Sequence, residues 1–408
     1  MRVIVTGGSG RAGRFTVREL AAAGHEVINL DRVRPSEELP GEFVQLDLTN
    51  AGEVYDVLSQ FRPTGLCHLA ANPSPTGFPR HQTFENNVVS TNVVMQAAGD
   101  VGVTRFVYAS SEMATGWLTT DELPPRLPFD ETDRTASPSA YALSKYLGEV
   151  IADSMVRQYP TMSVCSLRIN NVIMPDGYDV LQFRRDNFPE GGGNFWSYID
   201  VRDVATAFRA ALEGEISGHE VFLIAAADTC LDTPVQEAVE RLYGPGARFA
   251  PDHDPYASVF SCRAIEERLG WRARHSWRDE DANDLAAEPR RHGRSALEEA
   301  ILQNLSSDRG GGAVTRPHDR VARKGEELAS YAGDEEVVIT VGEVRAADAP
   351  AEERVACHHR TGAVKYEHHV PRRVARHVPD RGSDTTRVEF VTVGDVERGR
   401  AGLGYGDA

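Results

Sequence analysis

Short apolar runs alternate with amphipathic segments over the first 170 residues of the chain. Such runs predict β-strands, and segments with apolar residues three or four positions apart predict helices. Six strands are predicted, one directly after Met1 and the others at Glu26–Leu30, Phe43–Leu46, Gly65–Asn72, Arg105–Ala109 and Ser163–Ile169. Helices are predicted at Phe15–Ala23, at Phe84–Ala98 and from Ser137-Pro138 onward. Regular alternation of this kind is typical of an α/β fold with a doubly wound parallel sheet, which is the fold we expect.

The pattern is less regular between residues 171 and 280. An irregular segment contains Gly191-Gly192-Gly193, and Trp196–Asp200 then predicts a strand that leads into a helix ending at Leu212. A further strand is expected at Val221–Ala225, and two helices are expected at Pro234–Leu242 and Arg263–Leu269.

The amino-acid composition changes near residue 280. All four Trp, all six Met and 14 of the 15 Phe precede that point, whereas residues 281–408 hold two Ile, six Leu and 7 of the 13 His. Because this segment has too little apolar surface to offset its ordering entropy, we expect a disordered tail. Cys357-His358-His359 and His368-His369 have metal-binding side chains, but no strand or helix pattern supports them, and we expect no metal site.

The net charge of −17 argues against binding to nucleic acid or to anionic membranes. There is no apolar run of about 18 residues and no signal-peptide pattern after Met1, so we expect a cytoplasmic protein. The five cysteines form no paired framework, which indicates reduced thiols.

A glycine-rich turn follows the first strand. Gly7, Gly10 and Gly13 are spaced by three residues and precede a helix. Glycines at this spacing permit a tight turn and close approach of the backbone to a pyrophosphate, which would lie at the positive helix N-terminus. The sequence therefore predicts a dinucleotide site on a Rossmann-type sheet; the alternative is a plain Gly-rich turn.

Acidic residues follow the next two strands. Asp31 is placed to accept hydrogen bonds from the adenosine ribose, which favours NAD over NADP. Arg11 or Arg32 would instead meet a 2′-phosphate, so NADP stays possible. Asp47 is a candidate contact for the adenine, with a turn or helix-capping acid as the alternative.

The fourth strand ends in small residues that let a cofactor pass close to the backbone, and the fifth ends in Ser110-Ser111-Glu112. A serine at this sheet edge can donate to a substrate carbonyl oxygen, although turn serines are common there.

Tyr141 and Lys145 are four residues apart on a predicted helix, so their polar ends can converge. A fixed ammonium beside a phenol favours the phenolate and lowers the pKa of the tyrosine. Lys145 is the only lysine among the 25 basic residues before position 281, which sets it apart from an ordinary surface lysine. The pair predicts acid/base chemistry.

In this order the motifs resemble those of the extended short-chain dehydrogenase/reductase family, and in particular its NAD-dependent epimerase/dehydratase group. Thr6-Gly-Gly-Ser-Gly-Arg-Ala-Gly13 is similar to the family's cofactor loop, His68-Leu-Ala-Ala71 to its fourth-strand motif, Asn87 to a supporting helix asparagine and Arg168-Ile-Asn-Asn171 to the motif before the substrate region.

The resemblance implies hydride transfer on a sugar, with Tyr141 as the acid/base, Lys145 lowering its pKa and holding the nicotinamide ribose, and Ser111 orienting the substrate oxygen. The cofactor-binding residues it implies are Gly7, Gly10, Arg11, Ala12, Gly13, Asp31, Arg32, Asp47, Leu48, Leu69, Ala70, Ala71, Asn87, Tyr141 and Lys145. Those implied for the substrate are Ser111, Glu112, Arg168 and Asn171.

Departures from the family pattern narrow the substrate. Glu112-Met113 replaces the Asp-Glu pair of the dehydratases, and Trp196 replaces a nucleotide-contacting arginine of the epimerases. With the short segment between Asn171 and Tyr198, this is similar to the uronate-dehydrogenase-like branch, so we expect a sugar or sugar-acid dehydrogenase. Arg168 or Arg184 would pair with a substrate carboxylate, unless each serves a structural ion pair. A nucleotide-sugar 4-epimerase is the alternative, followed by a non-catalytic NAD sensor.

We therefore expect a Rossmann domain at 1–170, a small C-terminal substrate lobe at 171–280, of which 194–225 packs back on the first domain, and the tail at 281–408. The resemblance also implies a homodimer formed through the helix that bears Tyr141 and its neighbour.

Overall fold

A computed structural model describes residues 1–119, 122–136, 139–188 and 190–279, and four strands nearer the C-terminus. The chain divides into two compact units, Met1–Gly293 and Arg294–Ala408. Each unit is described by itself. Ser137 and Pro138, where a helix was predicted to begin, lie outside the described residues, and the helix there begins at Ala140.

Seven parallel strands form one sheet in the first unit, in the order β3-β2-β1-β4-β5-β6-β9. Their bounds are β1 Arg2–Thr6, β2 Glu26–Asp31, β3 Glu42–Gln45, β4 Gly65–His68, β5 Arg105–Ser111, β6 Ser163–Ile169 and β9 His219–Ile224. Two further strands, β7 Val172–Ile173 and β8 Ile199–Asp200, pair with each other in parallel. The strand order reverses between β1 and β4, and such a reversal is where ligands bind in doubly wound sheets. The predicted Rossmann-type α/β fold is confirmed.

The helices of the first unit pack on both faces of this sheet and beyond it. They are α1 Arg11–Ala22, α2 Ala51–Phe61, α3 Arg80–Val101, α4 Ala140–Gln158, α5 Asp179–Asp186, α6 Val201–Glu213, α7 Val235–Tyr243 and α8 Arg263–Leu269. Alternate residues of β1 face opposite sides, so Val3 and Val5 join the core with α1 and α6. Ile4 joins the core with α2, α3 and α4 on the other face.

A third core lies beyond the sheet and is rich in aromatic side chains, among them Phe129, Phe195, Trp196, Tyr198 and Phe260. Phe195 and Trp196 have φ values of 55° and 54°, which non-glycine residues adopt rarely. The strand predicted at Val221–Ala225 is β9, and it extends the sheet beside β6. The segment after β6 thus returns to the sheet.

Two helices were not predicted from the sequence. α2 follows Asn50, whose side chain accepts from the backbone N–H of Gly52. α5 buries only Leu181 of its eight residues. A helix with so little apolar character has no periodic pattern to reveal it.

In the C-terminal unit, β10 Val355–Cys357, β11 Ala363–Tyr366, β12 Arg373–Pro379 and β13 Thr386–Thr392 form an antiparallel sheet in that order. The predicted disorder of 281–408 otherwise falls outside the described residues, as do His358, His359, His368 and His369. Where the structure describes side chains, no three His, Cys, Asp or Glu residues lie close enough to hold a metal ion. In the same part of the chain, no helix has the length and apolar character needed to cross a membrane.

Candidate functional site

The site is built at the carboxyl edge of the parallel sheet. β1 ends before the glycine loop, β4 ends before Leu69, and β5 ends at Ser111. Ser111 lies opposite Ile169, the last residue of β6, so Asn170 and Asn171 leave the sheet beside it. Because parallel strands end at one edge, residues far apart in sequence meet here.

Close backbone packing explains two glycines of the loop. Gly7 has a φ of +71°, and a Cβ there would lie 2.6 Å from the backbone nitrogen of Ala70. A Cβ on Gly13 would lie 2.0 Å from the carbonyl oxygen of Gly7. The loop therefore touches the Leu69-Ala70-Ala71 segment, and α1 begins directly against it.

The N-terminus of α1 is open to an anion. Its N-cap residue is Gly10, and no side chain caps the helix. The first backbone N–H groups of the helix, starting with those of Arg11 and Ala12, have no partner within the helix and form the positive end of its dipole. This arrangement fits the pyrophosphate of a dinucleotide.

Asp31 lies next to this loop and accepts hydrogen bonds from the backbone N–H groups of Ser9, at 3.1 Å, and Val33, at 3.2 Å. Arg32 is exposed and donates to the Asn72 side chain at 3.4 Å. Asp47 accepts from the backbone N–H and the hydroxyl of Thr49, and these bonds hold the pKa of its carboxyl below the usual value. Asp47 therefore forms its bonds within the turn, and the following Leu48 is buried in the core.

His68 on β4 and Asn87 on α3 form hydrogen bonds with neighbouring elements. His68 is buried between the hydroxyls of Thr6, at 2.7 Å, and Thr91, at 3.2 Å, and burial lowers its pKa to about 3. The Asn87 amide accepts from the Asn72 backbone N–H at 2.8 Å and donates to the Ser144 hydroxyl at 3.1 Å. Asn87 thereby ties the segment after β4 to α4.

The two serines at the end of β5 have different surroundings. Ser110 is committed to the structure, because its hydroxyl donates to a carboxylate oxygen of Glu149 at 2.6 Å. Ser111 accepts from the backbone N–H of Met113 at 3.2 Å, and its hydroxyl interacts with that of Tyr141. Ser111 is therefore the serine that shares a site with Tyr141.

Tyr141 and Lys145 are both buried on the first two turns of α4. The Lys145 ammonium donates to the carbonyl oxygen of Ala109 at 2.7 Å, and burial lowers its pKa to about 8. Burial raises the pKa of Tyr141 to about 12, Ser111 opposes this, and the charge of Glu112 adds to it. On balance the pKa of Tyr141 is therefore above its ordinary value, while the Lys145 ammonium is bonded to Ala109.

Arg168, which the sequence offered as a substrate residue, forms an ion pair in the protein interior. Its Nε and Nη2 atoms both donate to the Glu149 carboxylate at 2.9 Å, and Nη1 donates to the carbonyl oxygen of Glu131. Arg168 and Glu149 are both almost fully buried. This is the structural ion pair that was the alternative for Arg168.

Arg184, on α5, is the arginine at the site. With its amide oxygen turned toward Arg184, Asn171 accepts from both terminal guanidinium nitrogens at 3.0 Å. The Arg184 charge also acts on Glu112, the residue after Ser111. The sequence analysis placed Arg168 among the substrate residues and offered Arg184 only as another partner for a carboxylate, because nothing in the sequence marked α5 as a helix.

Trp196 is fully buried in the third core and stacks on Phe188, with ring centres 5.4 Å apart. A Cβ on Gly192 would lie 3.1 Å from its ring, so the Gly-rich segment wraps the indole closely. The position that holds a nucleotide-contacting arginine in the resembled epimerases is therefore filled by a core side chain.

Comparisons with known proteins agree with this geometry. The model of the NAD dependent epimerase/dehydratase family matches residues 3–225. A UDP-glucose 4-epimerase from Lacticaseibacillus casei is 27% identical over 311 residues, which cover 67% of this chain and 92% of that protein. An NAD-dependent glucose-6-phosphate dehydrogenase from Haloferax volcanii is 28% identical over 239 residues, covering 55% of this chain and 86% of that protein.

Among solved structures, that of MoeE5 in complex with UDP-glucuronic acid and NAD is similar to this chain with a TM-score of 0.53 and 25% sequence identity. The similarity covers 69% of this chain and 97% of MoeE5.

Proposed function

This chain belongs to the NAD-dependent epimerase/dehydratase family, and we propose that within it the protein oxidises a free sugar or sugar acid. It is an NAD-dependent enzyme of the sugar epimerase and dehydrogenase type. Its cofactor is NAD, which supplies the redox chemistry as the acceptor or donor of a hydride when bound. The loop at Gly7, the open N-terminus of α1 and the carboxylate of Asp31 fit that dinucleotide.

In the proposed reaction the side chains of α4 and β5 handle the proton. The Tyr141 hydroxyl takes the proton of the reacting sugar hydroxyl, or returns it in the reverse direction. Ser111 holds the same oxygen by a hydrogen bond, since its hydroxyl lies beside that of Tyr141. One Lys145 N–H is used by Ala109 among the described residues, and the other two are available to ribose hydroxyls of the cofactor.

The surroundings of Arg184 and Trp196 support the proposal that the substrate is small. Arg184 lies at the site with Asn171 and Glu112, where a guanidinium can pair with the carboxylate or phosphate of an acidic sugar. Trp196 occupies the position at which the resembled epimerases have a nucleotide-contacting arginine, and its side chain is buried in the core. No arginine is therefore available at that position to bind a nucleotide. A small acidic sugar needs only the Arg184 guanidinium and no nucleotide-binding arginine.

The second candidate is 4-epimerisation of a nucleotide sugar. It is favoured by the similarity to the Lacticaseibacillus casei enzyme, which extends over 92% of that UDP-glucose 4-epimerase. An epimerase of this kind would use the same Tyr141 and Ser111. The two functions are therefore distinguished by which substrate the protein converts.

A panel of free sugars, sugar acids, sugar phosphates and UDP-sugars, incubated with NAD or NADP, tests the proposal. Formation of NADH with a free sugar or sugar acid would support it. Interconversion of UDP-sugars without net NADH would replace it with the epimerase. Binding of NAD with no turnover of any sugar would instead support a non-catalytic sensor.

We also propose a homodimer formed through α3 and α4, which pack against each other. Leu143 and Val150 are seven residues apart on one face of α4, and both are exposed. Val150→Glu is therefore expected to give monomers in light scattering. Val180→Glu, on α5, is the matched control, because Val180 is 39% exposed and Val150 is 42% exposed. A monomeric wild-type protein would overturn this proposal.

The remaining expectations concern location and partners. We propose that the protein works in the cytoplasm and binds no nucleic acid or membrane. The four described cysteines are free thiols, as in a reducing compartment, and the net charge of −17 disfavours polyanions. Fractionation of the source cells would test the location.

A further inference from the structure

Glu112 is a buried acid with an unused oxygen. It begins the short 3-10 helix Glu112–Thr115 directly after β5, and the Thr115 hydroxyl donates to its carbonyl oxygen at 2.7 Å, which fixes the turn. Its side chain is held in the interior with the residue only 7% exposed. Among the described residues, its Oε2 atom has no hydrogen-bond partner. Buried polar atoms without partners are rare, and each calls for an explanation, of which a bound ligand is one.

The groups that face Glu112 come from three elements. Asn194, after the Gly-rich segment, interacts with the carboxyl group by hydrogen bonding, and the guanidinium of Arg184 on α5 attracts its negative charge. Tyr141 on α4 is close enough for that negative charge to act on its hydroxyl. Lys145, one turn further along α4, directs its ammonium to Ala109 instead. No cation therefore forms a direct ion pair with Glu112 among the described residues.

We propose that Glu112 binds the substrate in its protonated form, with Oε2 donating a hydrogen bond to a sugar hydroxyl adjacent to the reacting carbon. The proposal rests on the proposed function and deepens it, because it requires a substrate with a hydroxyl at that carbon. The position follows from the chain: Glu112 is next to Ser111, and both face Tyr141, which holds the reacting oxygen. A second hydroxyl one carbon away is the group that the carboxyl can reach.

Burial supports a protonated acid, because it raises the pKa of Glu112 to about 8. The folded-state pKa is above the ordinary value, so the carboxyl keeps its proton at neutral pH and loses it as the pH rises through about 8. Ionisation would remove the donor and would place a negative charge beside Tyr141, which disfavours its phenolate. Substrate binding and catalysis should both weaken on the alkaline side.

The matched variants are Glu112→Gln, which keeps a donor and an acceptor but cannot ionise, and Glu112→Ala, which keeps neither. Glu190→Gln is the control, because Glu190 is exposed and its side chain lies outside the site. With an active sugar, wild-type kcat/KM should fall above about pH 8, where both Glu112 and Lys145 lose a proton, and Glu112→Gln should keep only the shallower fall that Lys145 causes. Glu112→Ala should lower kcat/KM by about tenfold, the effect of one buried hydrogen bond. A fall as steep in Glu112→Gln as in the wild-type protein would overturn the proposal.

A series of deoxy-sugars identifies the hydroxyl. The analogue that lacks the hydroxyl bound by Glu112 should lose about tenfold in kcat/KM with wild-type protein and little with Glu112→Ala, as in a double-mutant cycle. Equal losses in both proteins for every analogue would overturn the contact. Infrared difference spectra, which need no turnover, should show a protonated carboxyl band that disappears at high pH and is absent from Glu112→Gln.

These outcomes separate the two proposals. If wild-type protein turns over no sugar, the proposed function fails, and the contact with a substrate hydroxyl fails with it. If wild-type protein is active but Glu112→Gln only melts at a lower temperature, with an unchanged pH profile, then Glu112 is structural and only its assignment to the substrate fails.

Discussion

Lys145 and Tyr141 lie one helical turn apart, with the Lys145 ammonium 5.9 Å from the centre of the Tyr141 ring and bonded to Ala109 rather than to the tyrosine hydroxyl. The ammonium thus lies under the ring and faces the sheet. In the proposed reaction the ammonium would bind the cofactor ribose from this position, while burial opposes ionisation of the tyrosine. The proposed acid/base function of Tyr141 would then depend on the substrate and cofactor as well as on Lys145.

Tyr141→Phe should remove the proton-transfer group and lower kcat by about 10²- to 10⁴-fold, the usual contribution of general acid–base catalysis. The ring that contacts the interior is retained, so NAD binding and thermal stability should change little. Tyr146→Phe is the control on the same helix, because the Tyr146 ring stacks under Arg134 and is outside the site. Full activity of Tyr141→Phe in a spectrophotometric assay of NADH would rule out the assignment.

Lys145→Met should abolish sugar oxidation and yet stabilise the chain without cofactor at neutral pH. Burial lowers the pKa of Lys145 from 10.5 to about 8. Below about pH 8 the folded protein therefore carries the full penalty of a buried charge, and this penalty disappears as the pH rises toward 10.5. The variant should gain roughly 3 kcal/mol over wild type near neutrality, by the free-energy equivalent of the shift, and less at higher pH. Denaturant unfolding measures this difference, and a pH-independent difference would contradict it.

Arg168→Met and Arg184→Met form a matched pair, because the sequence offered both as partners of a substrate carboxylate. Arg168 is buried with Glu149, so its removal leaves an unpaired carboxylate and should cost about 3–5 kcal/mol in unfolding free energy. The Arg184 variant should stay folded and raise KM for an acidic sugar by about 10- to 100-fold, the loss of a charge-assisted pair. Neutral sugars should be affected less. The reverse assignment would hold if Arg168→Met were stable and selectively raised KM.

The sequence was sufficient for the fold and for the edge of the sheet where the site lies. Gly7, Ser111 and the Tyr141-Lys145 pair each follow a recognisable strand or begin a helix, and parallel strands bring such positions together whatever the loop lengths between them. The predicted strand ends differ from the observed ones by a few residues. For example, β4 ends at His68 instead of Asn72. Such shifts do not move a residue away from the edge.

What the sequence could not predict depends on side chains that meet across the fold. Arg168 pairs with Glu149 because β6 lies under α4, and no local pattern connects the two residues. Because α5 is mostly polar, the sequence did not show that Arg184 lies on a helix. The raised pKa of Glu112 depends on burial, which the neighbouring residues in the sequence do not predict. These are properties of tertiary packing rather than of periodicity.

Asp31→Asn should shift the cofactor preference toward NADP. The two Asp31 oxygens accept from the Ser9 backbone N–H at 3.1 Å and the Val33 backbone N–H at 3.2 Å, and an asparagine oxygen can keep the Ser9 bond that holds the loop while the Val33 bond is lost. The substitution removes the negative charge that would repel a 2′-phosphate, and the exposed Arg32 remains nearby to attract one. We expect the ratio of kcat/KM for NADP to that for NAD to rise about tenfold or more, since a repulsive charge is lost and one charged hydrogen bond to the ribose is weakened. Asp56→Asn, an exposed acid on α2, is the control and should leave the ratio unchanged. An unchanged ratio in Asp31→Asn would mean that the ribose lies elsewhere and that Asp31 serves only to hold the glycine loop.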